Sequence, residues 1–140
     1  PHVSSGHRFN VETAILDANG KNHHQFEEHQ PFVVSLEVTS ADRIAGATVW
    51  VVFHDEMGRE IGGRMLRDLN LEPDTTRGLR LHADAGTLRT GLFLIDVLIT
   101  DGTSGHRLFE AKAAETVSIY GDSADSSGPV RIAGSWSIDG

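Results

Sequence analysis

Apolar and polar residues alternate with a period of two along most of the chain, and turn-forming residues interrupt the alternation at short intervals. This predicts strands joined by turns. The first run, Phe9 to Leu16, ends at Asp17-Ala18-Asn19-Gly20, where Asn-Gly supplies positive φ at low cost. The polar, histidine-rich stretch Lys21 to Gln30 reads as a loop. Pro31 then precedes a run in which Phe32, Val34, Leu36 and Val38 share one face. In Thr48 to His54, Val49, Val51 and Phe53 oppose Thr48, Trp50, Val52 and His54, and Asp55-Glu56-Met57-Gly58 closes the run. Ile61 to Leu66 is a weaker strand interrupted by Gly62-Gly63. Leu69 to Arg77 reads as a connection, and Gly78 to Ala83 alternates again. The heaviest run is Leu92 to Ile99, with Phe93, Ile95, Val97 and Ile99 on one face and Leu94, Asp96 and Leu98 on the other. Arg107 to Ala111 and Thr116 to Tyr120 read as two further short strands.

No window keeps helical spacing beyond about two turns. The expectation is an all-β protein: an antiparallel β-sandwich of about eight or nine strands, immunoglobulin-like or jelly-roll-like in its layers. Residues 1–121 form the sandwich and residues 122–129, all small or polar, a flexible linker. Residues 130–140 supply a terminal strand of the same domain, possible to exchange between two copies. Val130, Ile132 and Trp136 need burial there, and a homodimer through them is expected.

Composition narrows the partners. The 140 residues suit one domain. With 12 Lys+Arg against 20 Asp+Glu, the formal charge is −8, which disfavours nucleic acid, a ligand that calls for clustered cations. The absence of cysteine excludes disulfides and thiol chemistry and suits a reducing compartment. No apolar run approaches the roughly 20 residues of a membrane helix. The chain opens Pro1-His2-Val3-Ser4-Ser5-Gly6, without the basic start or apolar stretch of a signal peptide. Lacking an initiator Met, it reads as a piece of a longer protein.

No cofactor or metal is expected: His23, His24 and His29 crowd a polar loop rather than a rigid tetrahedral frame. Asp55 reads as a turn aspartate bonding its own backbone. Asp96 interrupts an apolar strand and must face water, a partner or a ligand. Trp50 alternates away from the main core, and with Val52, Leu94 and Leu98 it makes an apolar patch that needs a ligand or a cover. Trp50, His54, Arg64, Asp96 and Tyr120 together offer rings to stack on sugar faces and polar groups to bond hydroxyls. A protein-interaction or adhesion module is the alternative. A glycoside hydrolase would need a carboxylate pair across a cleft, and Asp96 has no convincing partner in the sequence.

The order of these pieces carries a resemblance. Gly20, Phe26 and Pro31-Phe32-Val33-Val34 come first, then Val51-Val52-Phe53-His54-Asp55 with Gly58. Gly91-Leu92-Phe93-Leu94-Ile95-Asp96-Val97 follows, then Glu115-Thr116-Val117-Ser118-Ile119-Tyr120-Gly121 and Arg131-Ile132 ahead of Trp136. Over nearly its whole length the chain resembles the C-terminal polysaccharide-binding domain of the ATP-binding subunit of O-antigen ABC exporters, the Wzt type. The resemblance implies a non-catalytic, dimeric sandwich that recognises an undecaprenyl-linked glycan for export. It also implies a linked ATPase domain, a transmembrane subunit as partner, and a cytoplasmic place at the inner face of the inner membrane. The family's motifs transfer no set of site residues. Where that family commonly has a small residue in the third strand, this chain has Trp50.

Overall fold

A chain whose heavy residues recur at every second position buries them by stacking one pleated sheet on another. The computed structural model describes residues 2–6, 8–84, 86, 88–121 and 137, with residues 2–6 as backbone alone. The described residues form nine strands: β1 (His2–Gly6), β2 (Phe9–Leu16), β3 (Gln25–Glu27), β4 (Phe32–Ser40), β5 (Ile44–His54), β6 (Glu60–Leu71), β7 (Thr76–Ala83), β8 (Gly91–Asp101) and β9 (Arg107–Tyr120). One sheet has the order β1-β2-β4-β7 and the other β3-β9-β8-β5-β6. Neighbours are antiparallel except β3, which lies parallel to β9.

The expected β-sandwich is therefore present. β4 buries Phe32, Val34, Leu36 and Val38; β5 buries Val49, Val51 and Phe53; β8 buries Phe93, Ile95, Val97 and Ile99. Phe26, Phe32 and Phe53 join at one end of this core, with ring centroids 5.4 Å and 6.5 Å apart, the second contact edge-to-face.

Three expectations are corrected. The loop Lys21 to Gln30 contains β3, whose Phe26 is only 2% exposed; three residues are too few for a period to show. The connection Leu69 to Arg77 shrinks to residues 72–75, because Leu69 and Leu71 belong to β6 and are buried. Asp68, at φ +58°, lies at an irregularity in the β5–β6 register. Leu66 pairs with Val49 and Leu69 with Ala47, so both face inward although they are three apart. Arg107 to Ala111 and Thr116 to Tyr120 are one strand, β9, carrying a bulge opposite Asp96. The expected terminal strand, Val130, Ile132 and Trp136 included, lies outside the described residues.

Among the described residues the sheets do not close along one side. β6 and β7 are both edge strands, and a cleft of about 380 Å³ opens between them, lined by Leu36, Val51, Leu66, Leu79 and Leu81 among others. Leu66 is 47% exposed there.

Candidate functional site

The outer face of the five-stranded sheet is assembled row by row from the register. Trp50 on β5 pairs with Met65 on β6 and Leu98 on β8, so the three side chains share one face, away from the core. Trp50 is half-buried and Met65 is 36% exposed. The next row holds Val52 and Asp96, and the one after it His54 and Leu94. Gly63 stands beside Val52, where an added Cβ would lie 2.7 Å from the Val51 carbonyl oxygen. Only glycine permits that approach, and its missing side chain leaves Val52 open toward β6.

Asp96 and His54 form one unit. Asp96 Oδ2 lies 2.9 Å from His54 Nε2, and the two side chains are 20% and 21% exposed. The other ring nitrogen, Nδ1, lies 3.2 Å from the Gly58 carbonyl oxygen across the turn. Both nitrogens face acceptors, so both contacts are hydrogen bonds only when each carries a proton. Asp96 Oδ1 accepts the N–H of Ala113 at 2.7 Å. Ala113, at φ +50°, is the bulge residue of β9. Asp96 thus holds the bulge as well as the imidazole.

Around Trp50 the face sinks into a hollow of about 490 Å³, edged by Thr48, Met65, Arg67, Asp68, Thr100 and Thr103. That size lies within the roughly 300–1,000 Å³ of small-molecule sites. The ring forms one wall, three hydroxyls offer donors and acceptors, and a guanidinium and a carboxylate flank them. The hollow can hold a hydroxylated ligand by ring contact and directed hydrogen bonds. Thr48 was legible as an alternating partner of Trp50, whereas Thr100 lies one residue past the predicted run Leu92 to Ile99. Arg67 and Asp68 were not legible, because they lie where the β6 pattern breaks.

The remaining candidates separate. Arg64 pairs with Val51 rather than Trp50: it lies on the expected sheet but on its inner side, where it edges the inter-sheet cleft. Tyr120 ends β9, next to β3 and beyond the Gly91–Ile119 pair. It is 48% exposed and far from Trp50. The three loop histidines diverge: His23 faces Asp17 at 3.3 Å, His24 faces Glu115 at 3.8 Å and His29 faces Glu27 at 3.0 Å.

Among solved structures, the C-terminal domain of Wzt superposes with a TM-score of 0.76 over 92% of this chain and 84% of its own, at 12% identity. The fold is that of the Wzt C-terminal domain. A CARDB domain of the PF1109 protein from Pyrococcus furiosus, in complex with di-metal ions, matches at TM-score 0.52 and 12% identity, covering 79% of this chain and 89% of that one. A beta-glucuronidase of Bacteroides uniformis matches at TM-score 0.51 and 10% identity, over 74% of this chain but 12% of the enzyme. No protein-family model and no curated protein matches the sequence. Among the described residues no helix is long and apolar enough to cross a membrane.

Proposed function

We propose that this domain binds carbohydrate without altering it, and that it serves as the glycan-recognition domain of an ABC exporter's ATP-binding subunit. The ligand is a lipid-linked polysaccharide of the O-antigen type, bound on the cytoplasmic side of the inner membrane. The observation that carries the reading is the Trp50 hollow: an aromatic wall on the outer sheet face, edged by Thr48, Thr100, Arg67 and Asp68. The Wzt-like fold supports the same assignment. Asp96, held by Ala113 and His54, is placed to build the face rather than to act as a lone acid or base.

The test is titration of the chain with delipidated O-antigen polysaccharides, followed by tryptophan fluorescence and calorimetry. Binding that Trp50→Ala weakens supports the reading. No binding to any glycan, with capture of a protein through the same face, replaces it with the interaction-module alternative. We further propose that the domain works as a homodimer, with Val130, Ile132 and Trp136 of one copy covering the apolar edge at Leu66, Leu79 and Leu81 of the other. Two copies would raise the avidity of a shallow site.

A further inference from the structure

A second cleft, separate from the Trp50 hollow, lies at the opposite end of the five-stranded sheet. Its position follows from register: Trp50 is opposite Leu98 on β8, whereas Ile119, next to Tyr120, is opposite Gly91. Seven residues of β8 separate those pairs, or roughly 23 Å at about 3.3 Å per residue. The cleft measures about 250 Å³, and Asp17, Asn19, His23, Gln25, Gln30 and Tyr120 are among its walls. It sits just under the roughly 300–1,000 Å³ of drug-sized sites, a size for one ring rather than an oligomer.

The chemistry of these walls is specific. The exposed Tyr120 ring forms one side. Gln30 Oε1 accepts the Glu27 N–H at 2.8 Å, which fixes that side chain and leaves its NH₂ as a donor. Asp17 Oδ1 accepts the N–H groups of Asn19 and Lys21 at 2.8 Å and 2.9 Å, which orients its carboxylate. The side chains of Asn19 and Gln25 and the Tyr120 hydroxyl make no hydrogen bond among the described residues. Among the described residues no Lys or Arg lines the cleft; its charged groups are Asp17 and His23, whose Nε2 lies 3.3 Å from Asp17 Oδ2, so an anionic ligand meets a carboxylate and no fixed positive charge there. Carboxamides, a carboxylate and a ring are the groups that grip a hydroxylated ring from its edge and its face.

We propose that this cleft is a second carbohydrate subsite, which takes one neutral or amine-bearing sugar ring while the Trp50 hollow holds another part of the same chain. The proposal rests on the glycan-binding reading above and adds a second point of contact to it. Two contacts on one sandwich would select glycans by length as well as by the identity of a ring, because a chain too short to span them gains only one.

The experiment is a ¹⁵N–¹H titration of the whole chain with methyl mannoside, methyl galactoside, glucosamine and glucuronate. The expected result is movement of the Asn19, Gln25 and Gln30 side-chain amide signals with the neutral and amine-bearing sugars, unchanged in Trp50→Ala. Tyr120→Ala weakens it by about tenfold and Tyr120→Phe by less. If Tyr120→Ala loses spectral dispersion, Gln25→Ala at the exposed wall carries the same expectation. Movement confined to Thr48, Arg67 and Thr100 overturns the second subsite and leaves the glycan-binding reading intact. Stronger movement at the cleft with glucuronate than with the neutral sugars overturns the assigned ligand class. No movement at either place overturns both.

Discussion

Trp50 and Asp96 show how a side chain's role follows from what its strand neighbours leave for it. Trp50 has Met65 and Leu98 beside it and no sheet above it among the described residues. Trp50→Ala should therefore weaken glycan binding by about tenfold, or about 1.4 kcal/mol, while urea unfolding remains a single transition. Collapse of the fold would place the ring in the core instead. Asp96 behaves differently, since it accepts the Ala113 N–H and faces His54. Asp96→Ala should cost about 0.5–1.5 kcal/mol by urea denaturation, because the N–H of Ala113, an exposed bulge residue, loses its acceptor. Asp96→Asn keeps an acceptor oxygen and should cost less; equal losses from the two would show that the bulge contact contributes nothing. Thr13 presents a parallel case inside the sandwich. Its hydroxyl donates to Glu115 Oε1 at 3.1 Å, with Thr13 1% and Glu115 6% exposed. Thr13→Val should destabilise the fold by about 1–3 kcal/mol in the same assay.

At the level of elements, three aspartates organise the turns that set strand register. Asp17 accepts the N–H groups of Asn19 and Lys21, Asp55 those of Met57 and Arg59, and Asp101 those of Thr103 and Ser104. These contacts hold all three carboxyls below the usual carboxylate range, led by the Lys21, Arg59 and Ser104 N–H groups respectively. A carboxyl whose folded value lies below its unfolded value of about 3.9 gives stability that is complete above that pH. The stability is lost as pH falls through the folded value, where the unfolded chain binds more protons. Melting temperature should therefore drop as pH is lowered from about 5 to about 3. The triple variant Asp17→Asn, Asp55→Asn, Asp101→Asn should lose part of that slope. An unchanged slope would mean that the turn carboxylates do not govern acid sensitivity.

Across the whole molecule, the two sheets match poorly at one side. β6 overhangs, with Leu66 and Arg64 facing a cleft that no strand covers among the described residues. A long edge strand invites a further strand, the place proposed above for the apolar residues at 130, 132 and 136. Light scattering should give a dimer for the 140-residue chain and a monomer for residues 1–121. A monomer at both lengths removes the proposal.

Strand order along the chain was legible wherever a period of two ran unbroken, as in β2, β4, β5 and β8, because burying one face of a pleated ribbon forces that alternation. The outward turn of Trp50 was legible for the same reason. β3 was hidden because its one anchor, Phe26, has no periodic neighbours. The far half of β6 was hidden because the irregularity at Asp68 sets Leu66 and Leu69 three apart. The continuity of β9 was hidden because a carboxylate from another strand, Asp96, holds its bulge. Which candidates meet was also beyond the sequence. Arg64 and Met65 are neighbours in the chain, yet pairing with Val51 and Trp50 sends them to opposite faces. Alternation within a strand is written locally, whereas register between strands is set by contacts distant in sequence, and register is what gathers a binding surface.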